Sequence, residues 1–141
     1  MSLTGDTIHY IGDGALYLNQ SMDFDTREIT YIGDGAFFNN IKSLKIDGPL
    51  EYIGKQAFRS CDALTEVSIH STKALTVGDE AFFGCSKLSF FSITSDVSLM
   101  LGEEILNCTT ITSVELSKST VIRGDVLRRY AWGVALDIIW K

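Results

Sequence analysis

Two histidines, His9 and His70, are the side chains whose ordinary pKa lies near neutral, and they stand 61 residues apart. A ligand or base role needs a partner constellation, and neither has one nearby in sequence, so both read as surface histidines. Cys61, Cys85 and Cys108 are spaced by 24 and 23 residues. That spacing is unlike the C-x-x-C of a zinc site. They read as small buried side chains, one per structural repeat, with a metal or disulfide role as the lesser alternative. The carboxylate pairs Asp79-Glu80 and Glu103-Glu104 are adjacent in sequence, so their side chains diverge, and they read as solvated turns. Gly12-x-Gly14 and Gly33-x-Gly35 resemble fragments of a phosphate-binding loop but recur in step, which makes them structural. The chain contains no G-x-S-x-G, H-E-x-x-H or Walker loop. Neither catalysis nor any cofactor or metal is expected.

Composition narrows the partners. The net charge is −6, from 18 acidic and 12 basic residues, and the only adjacent basic pair is Arg128-Arg129. A nucleic-acid partner would need a basic face, so none is expected. No apolar run reaches the ~18 residues of a membrane span, and the N-terminal residues lack the pattern of a signal peptide. With 45% hydrophobic residues and one proline, Pro49, the chain reads as one globular domain over residues 1–141, or as a piece of a longer repeat protein. Asn19-Gln20-Ser21 and Asn107-Cys108-Thr109 would be glycosylation acceptors in a secretory pathway.

The elements that position these residues come from a repeat. An apolar residue, Gly, two polar or small residues and a small-large apolar pair recur. They read Ile11-Gly12-Asp13-Gly14-Ala15-Leu16, Ile32-Gly33-Asp34-Gly35-Ala36-Phe37, Ile53-Gly54-Lys55-Gln56-Ala57-Phe58 and Val77-Gly78-Asp79-Glu80-Ala81-Phe82. Two degenerate copies follow, Leu101–Leu106 and Ile122–Leu127. A second marker alternates apolar residues: Met22-x-Phe24, Leu44-x-Ile46, Val67-x-Ile69, Phe91-x-Ile93, Val114-x-Leu116 and Leu136-x-Ile138. Its second members step by 22, 23, 24, 23 and 22 residues.

Alternation with period two marks a strand with one buried face. One strand every ~23 residues lies in the range of leucine-rich repeats. The strands fall near 21–25, 43–47, 66–70, 90–94, 113–117 and 134–139. The Ala-Phe pair is expected on a short helical turn across the core. The position three or four after the Ala position (Asn19, Asn40, Cys61, Cys85, Cys108) is expected to meet backbone groups at the bend. The last strand, Val134–Trp140, ends in apolar residues with no polar cap, an association liability. Either Trp132 and Trp140 cover it, or self-association or further repeats do.

These residues resemble the BspA-like, or Treponema-type, leucine-rich repeat family. The match is clearest at Ile53, Gly54, Ala57, Phe58, Cys61, Leu64, Val67 and Ile69, and again from Val77 to Ile93. The ends depart from the pattern: Ile105-Leu106 replaces Ala-Phe, Arg123 replaces Gly, and the family's proline is nearly absent. The resemblance implies an α/β leucine-rich-repeat solenoid, a right-handed curved stack of about six coils with a parallel sheet on one face and short helical turns on the other. It implies a non-enzymatic recognition scaffold, often at the cell surface or secreted, that adheres to host or matrix proteins.

Residues between the buried strand positions face outward in three rows. The first is Ser21, Ser43, Glu66, Phe90, Ser113. The second is Asp23, Lys45, Ser68, Ser92, Glu115, Asp137, and the third is Asp25, Asp47, His70, Thr94, Ser117. The candidate protein-binding residues are Lys45, Glu66, Ser68, His70, Phe90, Ser92, Thr94 and Glu115, with Phe90 as the aromatic anchor if it faces solvent. A protein or peptide partner is the leading expectation, and a structural spacer within a longer solenoid is the alternative. A glycan-active enzyme would need a cleft with converging carboxylates, which this shallow face does not offer.

Overall fold

A computed structural model describes residues 2–4, 9–15, 22–36, 41–107, 111–122 and 137–141. Among them, seven parallel strands form one sheet: β1 (Ser2–Thr4), β3 (Met22–Thr26), β5 (Ile41–Gly48), β7 (Glu66–Ser71), β10 (Phe90–Ser95), β13 (Ser113–Leu116) and β15 (Asp137–Trp140). A second sheet stacks six short strands: β2 (Tyr10–Ile11), β4 (Tyr31–Ile32), β6 (Tyr52–Ile53), β8 (Leu75–Val77), β11 (Leu99–Leu101) and β14 (Thr120–Ile122). A third wall pairs β9 (Phe82–Phe83) with β12 (Leu106–Asn107). The neighbour of every strand is its equivalent one repeat away, so the chain is a solenoid of stacked parallel coils.

Among the described residues a strand lies at or beside each expected range, residues 21 and 134–136 falling outside them, and β1 adds one ahead of the first coil. The helical turns are not: among the described residues there is no helix. Where the Ala-Phe pair was expected to curl, alternate N–H groups donate to the next coil, while Ala57 N–H turns back to the Gly54 carbonyl at 3.3 Å. Phe58 N–H reaches the Ala81 carbonyl at 2.8 Å, Ser60 N–H reaches Phe83 at 2.7 Å, and Phe82 N–H reaches Ile105 at 2.9 Å. A helix would direct these donors back along its own chain. The α component of the expected α/β class is therefore replaced by isolated turns and short strands.

The core is one continuous apolar column from Ile11 to Leu116. The signature residues Ile53, Ala57, Phe58, Cys61, Leu64, Val67 and Ile69 are all within 2% of complete burial. Phe58 and Phe82 stack face to face at 5.1 Å, and Phe91 meets Phe82 edge-on at 5.2 Å. Cys61 and Cys85 are buried and unbridged, and the Cys85 thiol donates to the Phe58 carbonyl at 3.1 Å, meeting the backbone at the bend as expected. Asn19, Asn40, Cys108 and Trp132 lie outside the described residues.

The marker glycines answer a steric demand. A Cβ on Gly54 would come within 2.4 Å of the Asp34 backbone nitrogen, and one on Gly33 or Gly102 would meet the preceding coil as closely. The left-handed turn sits two residues further on, at Gly14, Gly35, Gln56, Glu80 and Glu104, with φ from 49° to 64°. The residue between them ties the coils: Asp13 Oδ1 accepts from Asp34 N–H at 2.9 Å, Asp34 Oδ1 from Lys55 N–H at 2.8 Å, and Asp79 Oδ1 from Glu103 N–H at 2.8 Å. Glu80 pairs with Arg59 at 3.0 Å. The pair Asp79-Glu80, expected as solvated turn residues, is thus engaged in joining coils.

Candidate functional site

The outward face of the seven-stranded sheet carries the predicted site residues. Phe91 is buried, which turns Phe90 outward with 43% of its surface exposed. Strand register places Glu66 beside Ser43 and Phe90, Ser68 beside Lys45 and Ser92, and His70 beside Asp47 and Thr94. Lys45, Ser68, His70, Ser92 and Thr94 line one shallow depression of about 260 Å³, together with Arg27 and Asp47. Glu66 and Phe90 lie in the row next to it. Glu115 follows Ser92 one coil further and pairs with Lys141 at 3.5 Å, away from the depression.

Three details of the expected rows change. The register of β3 on β5 puts Asp23 beside Ser43 and Asp25 beside Lys45, with an irregularity between Met22 and Asp23 that pairs Met22 with Ile41. Asp137 lies beside Ser113, which puts Ile139 rather than Asp137 next to Glu115. Ser117 does not face solvent. It is buried, and its hydroxyl accepts from Ser95 N–H at 2.6 Å.

His70 is held from both sides. Its Nδ1 lies 2.9 Å from Asp47 Oδ1 and its Nε2 lies 2.9 Å from Asp96 Oδ1. The imidazole therefore spans three coils, with one carboxylate from each neighbour. Those hydrogen bonds, the one to Asp47 foremost, raise the pKa of His70 above the ordinary histidine value against the opposing effect of burial. Both ring nitrogens face carboxylates, and in the protonated ring both donate, so the charged form of His70 clamps two acidic side chains at the rim of the depression. His9, by contrast, is exposed and contacts one residue of the next coil, its Nδ1 3.3 Å from the Glu28 carbonyl and its Nε2 3.7 Å from the Glu28 carboxylate.

Sequence alternation alone missed Asp96, because it follows the end of β10 and belongs to no row. Arg27 was missed for the same reason, lying just past β3.

A family model described as a BspA type leucine rich repeat region matches residues 5–129 in six copies. The chain belongs to that family. The BspA-type repeat accounts for the even coil spacing and for the buried signature positions, and repeats of this kind serve as scaffolds rather than as catalysts. No curated protein and no solved structure matches the chain. The BspA-type signature residues fill the core and turns, so the residues that distinguish this chain's surface are those between them.

The second sheet presents an outward row that sequence reading did not single out. Tyr10, Tyr31 and Tyr52 stack in a ladder, with ring centroids 4.6 Å and 4.9 Å apart and planes 6° and 19° from parallel. The Tyr52 hydroxyl donates to Asp34 Oδ1 at 3.1 Å. Burial first, then this bond, pushes the Tyr52 pKa up to about 12. Strands of two residues are too short to show alternation, which is why periodicity did not reveal the ladder.

Proposed function

We propose that this chain is a non-enzymatic protein-recognition scaffold, and that the partner docks on the outward face of the seven-stranded sheet around His70. The observation that carries this reading is the convergence of Lys45, Ser68, His70, Ser92 and Thr94 on one depression, with His70 locked by Asp47 and Asp96. A side chain already held in place loses little conformational freedom when a partner arrives, which favours recognition. Phe90, an exposed aromatic one row away, supplies apolar contact beside the polar field. Glu66 and Lys45 supply opposite charges that orient the partner, and Glu115 extends the polar surface by one coil.

In keeping with the family, the partner is a host or matrix protein met at the cell surface or after secretion, so the activity is adhesion. A panel of extracellular-matrix and mucosal proteins, tested by biolayer interferometry against the immobilised chain, probes this reading. Lys45→Glu and Glu66→Lys should each weaken the partner's binding at least tenfold while leaving the melting temperature unchanged. Unaltered binding by both variants to a protein that the wild type binds would place the contact elsewhere.

A second reading is that the chain spaces other elements in a longer stack. It is favoured by the exposed apolar residues on the last strands, Ile139 and Trp140 on β15 and Val121 and Ile122 on β14. Trp140 lies within its strand, about half exposed, and does not fold over the edge as a cap. Sedimentation velocity discriminates: concentration-dependent association that Ile139→Lys abolishes supports the spacer, and a monomer at all concentrations opposes it.

A further inference from the structure

The tyrosine ladder ends abruptly. In register, Tyr10, Tyr31 and Tyr52 are followed by Thr76 and then Met100. Thr76 is too small to continue the stack. One face of the Tyr52 ring is therefore left without a ring partner, and across the gap stands Met100. Tyr52 and Met100 sit two coils apart, roughly 10 Å at the usual strand spacing, which leaves room for one planar ring. That gap is a real depression of about 260 Å³, lined by Tyr52, Lys55, Thr76, Asp79 and Met100 over the backbone of Val77, Gly78 and Gly102.

The rim specifies the ring's substituent. Within the ladder, the Tyr52 hydroxyl finds Asp34 of the preceding coil. One rung on, the residue equivalent to Asp34 is Lys55, and Asp79 stands at the same turn position in the coil of Thr76. Among the described residues Lys55 has no ion-pair partner, and the second carboxylate oxygen of Asp79 accepts no hydrogen bond, its Oδ1 being engaged with Glu103 N–H. An ammonium donor and a carboxylate acceptor together fit a neutral hydroxyl, which accepts from one and donates to the other. A phosphorylated or sulfated ring would meet Asp79 with like charge. A bare phenyl ring would leave both polar groups unused.

We propose that this notch is a binding site for the side chain of a tyrosine presented by a partner polypeptide. The phenol inserts between Tyr52 and Met100 over Thr76 and completes the ladder as its fourth rung. Its ring stacks on Tyr52 as Tyr52 stacks on Tyr31, the Met100 thioether closes the other face, and its hydroxyl bridges Lys55 and Asp79. The site lies on a different sheet from the face around His70 and stands or falls independently of it.

The test follows methyl and aromatic NMR signals of the intact chain during titration with N-acetyl-L-tyrosinamide, N-acetyl-L-phenylalaninamide and methyl β-glucopyranoside. The tyrosine probe should shift Thr76, Met100 and Tyr52 signals saturably and bind at least threefold more tightly than the phenylalanine probe. The glucoside should leave these signals unmoved. Lys55→Met should remove the preference for tyrosine, and Thr76→Tyr, which supplies the missing rung from within, should abolish the shifts. Should Thr76→Tyr fail to fold, the wild-type preference and its loss in Lys55→Met decide alone. Absence of tyrosine-induced shifts at these residues, or equal or tighter binding of the phenylalanine probe or the glucoside, overturns the proposal.

Discussion

Gln56 and Gly35 occupy the same turn position one coil apart and share the left-handed backbone conformation, with φ of 56° and 64°. Gly35 adopts it without steric cost, whereas a Cβ-bearing residue carries a penalty of roughly 1–2 kcal/mol there. The coil geometry imposes this conformation because the N–H at this position must reach the next coil: Gly35 donates to Lys55 and Gln56 to Asp79, at 2.9 and 3.0 Å. Gln56→Gly should therefore stabilise the fold by about 1 kcal/mol, offset in part by the flexibility glycine adds to the unfolded chain. Urea denaturation measures it. A destabilised Gln56→Gly would mean that the Gln side chain contributes more than the strain costs.

The marker glycines should respond in the opposite direction and unequally. A Cβ on Gly54 would collide with the Asp34 backbone, while the nearest atom to one on Gly12 is a Tyr10 ring carbon at 3.6 Å, an ordinary contact. Gly54→Ala should cost at least ~2 kcal/mol, in the range of overpacking. Gly12→Ala should change stability by no more than about 0.5 kcal/mol, as for ordinary surface positions. Equal effects at the two sites in thermal melts would contradict the close-approach account.

The Phe82 ring is fully buried between Phe58 and Phe91. Phe82→Ala should lose about 3–5 kcal/mol through lost burial and the cavity left behind. Ser68→Ala, on the outward face, should alter stability little. A near-neutral Phe82→Ala would show that the ring does not fill the column.

Much of this was legible because the buried face of β7 writes itself as Val67-x-Ile69, and the same alternation returns in each coil. The core, the strands and most of the outward neighbours around Ser68 and His70 follow from it. What alternation does not encode is where backbone donors go. The Ala57-Phe58 pair suits a helical turn by composition and does lie in turns, but the reach of Phe58 N–H to Ala81 in the next coil keeps those turns from joining into a helix. Likewise, the register of β3 on β5 lies two residues from the expected row, and Asp96 reaches His70 from a loop.

The clamp at His70 should make stability depend on pH. The folded pKa is raised, so the stabilisation is complete below the unfolded value of about 6.5. It is lost as the pH rises through the folded value, because the unfolded chain releases its proton first. The groups facing the ring are Asp47 and Asp96, with Lys45 and Arg27 lining the same depression. The His70 ring signals should titrate with a midpoint above 6.5, and Asp47→Asn and Asp96→Asn should each lower it. A wild-type midpoint at or below 6.5 would show that the two carboxylates do not hold the charged ring.

The proposed recognition surface is the outward face of the seven-stranded sheet. Its most direct test is an NMR map of the isotope-labelled chain bound to a matrix or mucosal protein that it captures. The largest shift changes should fall on Lys45, Glu66, Ser68, His70, Phe90, Ser92 and Thr94, with Tyr52 and Met100 moving only where the partner also inserts a tyrosine. Changes confined to the exposed strands β14 and β15, or absent from the residues around His70, would contradict it.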